Sequence, residues 1–374
     1  MSPTLLSTPP TRHRPRFHEL EVTAVDRLTP GAVAISFAVP DELAQEFAFE
    51  PGQHLTLRAT VDGQDVRRSY SICRSRSEAL RRKEIRIASA EVPGGVMSTW
   101  LNREVQPGDR IQVMSPLGSF TCPLDPERAK HHVAIAAGSG ITPVLSLLTS
   151  ALEEEPQSRV RLIFGNRRTD SIMFLEELED LKNAYPGRVH LMHVLSREAQ
   201  DIELFSGRID RDKLQRLTDT LVPVDDVDEW YLCGPFEMVE NARKLLRDNG
   251  IDEAHVHHEV FHVEDGAAPV RPVVEVAPGA PPEAVVTVNL DGRTTRIEMA
   301  SREETILDAT LRERPDAPFS CTGGVCGTCR ARVVEGEVRM DRNYALEPDE
   351  VAAGVVLACQ SHPVTDEVRL DYDA

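Results

Sequence analysis

The densest chemistry in the chain lies in Cys321-Thr-Gly-Gly-Val-Cys326-Gly-Thr-Cys329, answered far downstream by a lone Cys359. Cys-x4-Cys-x2-Cys with one remote cysteine is the spacing at which four thiolates hold a plant-type 2Fe–2S cluster. Gly323, Gly324 and Gly327 let backbone N–H groups approach the sulfurs, and such bonds help set the potential. Four thiolates also suit tetrahedral zinc, but zinc ribbons bring two separate Cys-x2-Cys pairs, whereas here three ligands share one loop. Cys321, Cys326, Cys329 and Cys359 are therefore expected to be cluster ligands. Seven cysteines are an odd count and no apolar leader opens the sequence, so a reducing, cytoplasmic setting is expected rather than a disulfide framework.

A second set of residues suits a flavin nucleotide. Arg68-Ser69-Tyr70-Ser71 follows an Asp62-Gly63 turn and reads as a strand, on which Arg68 and Tyr70 share one face and Ser69 and Ser71 the other. A guanidinium grips a pyrophosphate with two bonds, and a tyrosine ring can stack on an isoalloxazine. Pro93-Gly-Gly95-Val96-Met97-Ser98 comes next, ahead of an expected helix Thr99–Arg103. Glycines that open a helix leave N–H groups and a positive dipole end for phosphate, while the plainer reading makes Ser98 a helix cap.

A third set suits a nicotinamide nucleotide. The apolar run His132–Ala137 enters Gly138-Ser-Gly140-Ile-Thr142-Pro143, a glycine-rich turn at a helix start, with Pro143 where a dinucleotide fingerprint has its third glycine. Arg167, Arg168 and the pair Ser196-Arg197 follow the next two strands, and cations rather than an acid at that place favour a 2′-phosphate, hence NADPH. Cys233-Gly234-Pro235 ends the fourth strand, at the edge where open α/β sheets bind ligands. Glu259 and Phe261 on the last strand point the same way. The adjacent His257 and His258 face opposite sides of that strand, which discounts a paired-histidine metal site; Cys73 and Cys122 read as structural.

These sets must be positioned by separate modules, because 374 residues exceed one ordinary core. Residues 1–16 read as a disordered tail. Residues 17–126 alternate in short runs broken by Pro-Gly and Asp-Gly turns, as in an antiparallel β-barrel. In 127–262, apolar runs alternate with helical periodicity at Ile141–Leu152, Phe174–Asn183 and Phe236–Leu246, the pattern of a doubly wound α/β domain with a parallel sheet. Residues 263–284, rich in Pro, Gly and Ala, read as a semi-stiff linker that lets the cluster swing close to the flavin, and 285–374 as a small α+β domain. No apolar run is long enough to span a membrane. A formal net charge of −19 argues against nucleic acid and for a partner with a basic patch.

With those residues in view, 17–262 resembles the ferredoxin–NADP⁺ reductase family, through R-x-Y-S, G-x-G-x-T-P, C-G-P and a late E-x-F. Residues 285–373 resemble plant-type, β-grasp ferredoxins. The domain order, with Pro51-Gly-Gln-His-Leu-Thr-Leu57 and Asn343-Tyr-Ala-Leu-Glu-Pro-Asp-Glu350, is most similar to the reductase components of bacterial phenylacetyl-CoA epoxidases. That resemblance implies FAD at Arg68, Ser69, Tyr70 and Ser71, with Gly95, Val96, Met97 and Ser98 at its pyrophosphate. It implies NADPH along Gly138, Gly140, Thr142 and Pro143, its 2′-phosphate near Arg167, Ser196 and Arg197, and its nicotinamide at Cys233, Gly234 and Pro235. Tyr70 and Ser71 would lie on one side of the flavin, Cys233 and Glu259 on the other, with Phe261 as a cover. Hydride, flavin and a one-electron cluster form one sequence of carriers leading to a di-iron oxygenase component. Reductases that feed Rieske dioxygenases or di-iron hydroxylases share the motifs, and a non-enzymatic iron–sulfur sensor is the distant alternative.

Overall fold

The structure, a computed structural model, describes residues 16–262 and 281–374. The expected tail, apart from Arg16, and most of the expected linker therefore lie outside the described residues. The first module is built from β1 (Phe17–Thr29), β2 (Ala32–Ala38), β3 (His54–Val61), β4 (Gln64–Ser71), β5 (Glu84–Ala90) and β6 (Arg110–Met114), in the antiparallel order β4-β3-β6-β1-β2-β5. A bridge from Ile72 to Ile87 joins the two edges, so the sheet closes as a barrel. Its alternating inward residues, among them Leu20, Ile35, Phe37, Leu55, Leu57 and Ile87, pack with Met97 and Leu101 from the adjoining helix. Helix α1 (Arg76–Arg82), capped by Ser75, lies outside the pattern the sequence displays, because only Ala79 of its seven residues is buried. Helix α2 (Val96–Arg103) starts one turn earlier than the expected Thr99, so Met97 and Ser98 sit in its first turn.

The second module is a five-stranded parallel sheet in the order β11-β10-β7-β8-β9, from β7 (His131–Ala137), β8 (Arg159–Asn166), β9 (Val189–Leu195), β10 (Glu229–Pro235) and β11 (Val256–His262). Helices α3 (Ile141–Glu154) and α4 (Leu175–Ala184) bury apolar residues on one face; α5 (Arg211–Leu221) and α6 (Phe236–Asp248) cover the other. Burial on both faces explains why these strands read as continuous apolar runs. Helix α5 was not legible in the sequence, since its buried stripe is Lys213, Leu214, Leu217 and Thr218, only two of them apolar, among charged residues.

The third module contains β12 (Ala284–Leu290), β13 (Arg293–Met299), α7 (Ile306–Glu313), β14 (Arg330–Glu335), β15 (Val338–Met340), α8 (Pro348–Ala352), β16 (Val355–Leu357), β17 (Ser361–Pro363) and β18 (Glu367–Asp371). Its main sheet runs β13-β12-β18-β14-β16, with β12 and β18 parallel at the centre and α7 packed on Val286, Ile297 and Leu370. Among the described residues no helix is long and apolar enough to cross a membrane.

Candidate electron-transfer site

A largely buried polar group of side chains lies where the barrel meets the parallel sheet. Ser71 ends β4, Glu259 lies in β11, and the serine Oγ is 3.5 Å from the glutamate Oε2. Glu259 is paired in register with Cys233 of β10, so the thiol and carboxyl are brought side by side. Burial raises the Glu259 carboxyl to about 8, only partly offset by Ser71, so it holds its proton at neutral pH. Burial, then the neighbouring Glu259, pushes the Cys233 thiol well above its ordinary value. Three of the four residues at this point, Ser71, Cys233 and Glu259, are those the sequence names, and the fold joins Ser71 to Glu259 across 188 positions.

The fourth is His54, which in the sequence shows only as the start of a strand. Its Nδ1 is 3.9 Å from Glu259 Oε1, its side chain is 3% exposed, and neither ring nitrogen has a hydrogen-bond partner among the described residues. Burial lowers it to about 4, so the ring is neutral. Its place is fixed by backbone: His54 N–H donates to the Leu117 carbonyl oxygen, and the His54 carbonyl oxygen accepts from Leu117 N–H. Just before it, Gly52, at φ +95°, turns the chain where a Cβ would lie 1.9 Å from the Phe120 carbonyl oxygen. The Pro51-Gly-Gln-His54 stretch was the available signal. An orphaned, buried ring beside a protonated carboxyl fits a site completed by a ligand.

The remaining flavin-side residues flank this point. Arg68 is exposed, and its guanidinium donates to the Arg67 carbonyl oxygen. Tyr70 packs against the barrel core, and burial pushes its phenol to about 12 despite a bond with Ser89. Ser69 hydrogen-bonds Ser320 of the third module rather than its own barrel. Gly95 caps α2 without a side-chain acceptor, and the first turn carries no acid, which leaves the N–H end to an anion. Ser98 is not the cap: its Oγ accepts from Val92 N–H and donates to the Gly95 carbonyl. These residues fit a flavin diphosphate by their donor set.

At the turn after β7, Gly138–Gly140 forms a short 3₁₀ turn before α3, and Thr142 Oγ1 closes it on the Ser139 carbonyl at 2.9 Å. A Cβ on Gly140 would lie 2.2 Å from the Cys233 carbonyl oxygen, so only glycine lets this turn press against Cys233-Gly234-Pro235. Pro143 is buried in α3, whose first turn tolerates it. Arg197 N–H donates to the Arg167 carbonyl oxygen and Ser196 N–H to Asn166, which places Arg167, Ser196 and Arg197 together beyond β8 and β9. Neither Arg167 nor Arg197 has an ion-pair partner among the described residues; Arg168 pairs with Asp170. Phe261 packs on the core shared by barrel and sheet.

The four cysteines that the sequence spacing singles out converge as two thiol couples, Cys321 with Cys326 and Cys329 with Cys359, and all are free. Cys321 Sγ accepts from the N–H groups of Gly323, Val325 and Cys326 at 3.4, 3.4 and 3.3 Å. The bond from Cys326, then those backbone donors, hold Cys321 below the ordinary thiol value, while burial opposes them. Gln360 tethers the remote ligand's segment by bonding the Thr322 carbonyl. Convergent sulfurs in a nest of donors fit an iron–sulfur cluster.

Two further features were not anticipated. A cleft of about 1300 Å³ is lined by all three modules, including His54, Gly118, Glu259, Val325 and Tyr344. Cys122, Glu229 and His257 bring ligand-type atoms within 4.8 Å, but Lys130 already pairs with Glu229, so this cluster is charge-balanced without a metal. His257 stacks on Tyr231 and bonds Glu229 while His258 faces Glu347, so the two histidines do point apart.

A flavin-side strand, a nucleotide turn and a four-thiol loop in one chain define an oxidoreductase that moves electrons between a pyridine nucleotide and an iron–sulfur centre. Residues 19–122 match the oxidoreductase FAD-binding domain, 134–244 the oxidoreductase NAD-binding domain and 288–364 the 2Fe-2S iron-sulfur cluster binding domain. One component of the 1,2-phenylacetyl-CoA epoxidase of Escherichia coli K12 is 43% identical over 96% of this chain and 98% of its own. The ferredoxin reductase component of 3-ketosteroid-9-alpha-monooxygenase from Rhodococcus rhodochrous is 34% identical over 98% of this chain and all of its own. The chain belongs to this family of oxygenase reductase components. Phthalate dioxygenase reductase shares the fold, with TM-score 0.55 and 24% identity over 95% of this chain and 98% of that one.

Proposed function

We propose that the chain takes hydride from NADPH and delivers electrons to the di-iron oxygenase component of a phenylacetyl-CoA epoxidase, in the cytoplasm. The observation that carries this reading is the near full-length 43% identity to the epoxidase component, over modules that in this chain bring Ser71, Cys233 and Glu259 together. When bound, nicotinamide supplies a hydride, FAD accepts the pair and yields it singly, and the cluster carries one electron.

The chain's own residues supply placement and proton control. Arg68 grips the flavin pyrophosphate together with the N–H groups of Gly95, Val96, Met97 and Ser98, and Tyr70 supports the ring. Ser71 and the protonated Glu259 would offer hydrogen-bonding groups beside Cys233, and the neutral His54 ring, 3.9 Å from that carboxyl, keeps a second charge out of the pocket. Gly138, Gly140, Thr142 and Pro143 would receive the second nucleotide, with Cys233, Gly234 and Pro235 on the nicotinamide side. Arg167 and Arg197, unpaired among the described residues, favour the 2′-phosphate, with Ser196 beside them. Phe261, packed on the core shared by barrel and sheet, would lie over the flavin. The three modules span 17–126, 127–262 and 285–374.

The steroid monooxygenase relatives, 34% identical over the whole length, favour a second reading in which the acceptor is a different oxygenase, including a Rieske type. Anaerobic stopped-flow mixing with NADPH, then NADH, tests the donor half. Rapid flavin bleaching followed by loss of cluster absorbance, faster with NADPH, is expected; an unresponsive cluster overturns the electron exit. Coupled turnover with purified oxygenase components tests the acceptor half, and support from a Rieske component alone overturns the epoxidase assignment.

A further inference from the structure

The third module is docked on the first, and one arginine reaches across the contact. Arg67 alternates with Arg68 on β4, so its guanidinium leaves the face that carries Arg68 and Tyr70. It is only 5% exposed, and no carboxylate forms an ion pair with it among the described residues. Asp65, the acid on its strand, is hydrogen-bonded by two nitrogens of Arg58 and reaches Arg67 only as a through-space charge. The partners of Arg67 lie about 250 positions away in the third module: the carbonyl oxygens of Pro315 and Ala317, at 3.3 and 3.4 Å, and the Phe319 ring, whose centroid is 4.2 Å from the guanidinium carbon. Phe17 of β1 sits 5.3 Å away, so the cation is bracketed by one ring from each module.

A buried guanidinium without a counter-ion is unfavourable unless aromatic faces and carbonyl dipoles replace its water. An arginine serving the barrel alone would be better paired within the barrel; among the described residues the hydrogen bonds of this guanidinium all go to the third module, while its Nε has no partner. What it seats is the segment Phe319-Ser320-Cys321, and Cys321 is a cluster ligand. Next to it, Ser69 donates its hydroxyl hydrogen to Ser320 Oγ at 2.9 Å. Ser69 adjoins Tyr70 and Ser320 adjoins Cys321, so one hydroxyl contact links the flavin strand to the cluster loop.

We propose that Arg67 is a positioning residue that seats the cluster-bearing loop on the flavin strand, and so sets the approach of the two redox groups. The proposal rests on the reading of those groups given above. It assigns Arg67 no part in hydride transfer, because its guanidinium faces away from Arg68 and Tyr70.

The test uses the full chain loaded with both groups, as wild type, Arg67→Ala, Phe319→Ala and the double variant. Hydrogen–deuterium exchange reads seating without reference to activity, and amides of 317–322 are expected to exchange faster in each single variant. Anaerobic stopped flow with NADPH is expected to show unchanged flavin bleaching but cluster reduction slowed about tenfold, the scale of losing a desolvated cation–π contact with its charged hydrogen bonds. The double variant is expected to be no slower than either single one, because both substitutions remove the same contact. Unchanged exchange, unchanged cluster reduction or additive slowing overturns the proposal, and Phe319→Ala keeps the test open if Arg67→Ala misfolds. Absence of flavin bleaching in the wild type overturns the functional reading instead, so the two failures are distinguishable.

Discussion

The cluster loop and the hydride pocket are built on opposite principles. The loop packs three of its four converging cysteines into Cys321–Cys329, and Cys321 Sγ draws N–H donors from the same few residues. The pocket takes His54, Ser71, Cys233 and Glu259 from four strands in two modules, and no two are neighbours in sequence. A local site of that kind depends on its loop; a composite one depends on how two modules are set against each other. The two should therefore fail independently.

The largest expected effect tests that independence. Cys326→Ser removes a thiolate that also bonds Cys321, so the cluster's visible absorbance and its reduced-state magnetic signal are expected to vanish. The pocket lies in other modules, so NADPH-driven reduction of a dye through the flavin is expected to persist. Loss of dye reduction as well would mean that the cluster loop supports the pocket, and the comparison would break.

A smaller effect probes the pocket from within. Glu259 is protonated below about 8 because it is buried, and its ordinary value is 4.5. The rise favours the folded state at low pH, fully so below 4.5, and that contribution is lost as pH climbs through about 8. Hydride transfer is expected to fall above the same pH as the carboxyl becomes an anion beside Ser71. Glu259→Gln stays neutral, so its rate should be flat across that range and its urea midpoint should drop less from pH 6 to 9 than the wild type's. Glu259→Ala, which keeps no hydrogen-bonding group, is expected to slow flavin reduction roughly 100-fold. An unaltered pH profile in Glu259→Gln would remove this carboxyl from the proton account.

The same contrast explains what the sequence made legible. Covalent ligands need fixed residue types at fixed spacing, so the Cys321–Cys359 quartet stood out, as did Ser71, Cys233 and Glu259 within short motifs. His54 did not, because a histidine at the head of an apolar strand looks like any edge residue until its neighbours are known. Arg67 was hidden for a related reason: beside Arg68 it reads as a surface charge, and its partners near Phe319 are joined to it only by docking. The barrel and parallel sheet were legible from period and turn chemistry. Helices α1 and α5 were not, since each buries a narrow stripe among charged residues.

The smallest effect concerns the nucleotide choice, where local and composite features meet. Arg167 and Arg197 come from successive strands but are brought together by one backbone bond, and no acid among the described residues neutralises either. A 2′-phosphate between them would accept charge-assisted bonds, whereas a 2′-hydroxyl would gain little. Arg197→Ala is expected to raise the KM for NADPH about tenfold, as for one lost charged hydrogen bond, and to leave kcat and the KM for NADH nearly unchanged. The phosphate is far from the reacting carbon, so its loss should weaken binding in ground and transition states alike. An equal rise for both nucleotides would show that Arg197 meets the shared part of the cofactor, and would leave the selectivity to Arg167 or to none of these cations.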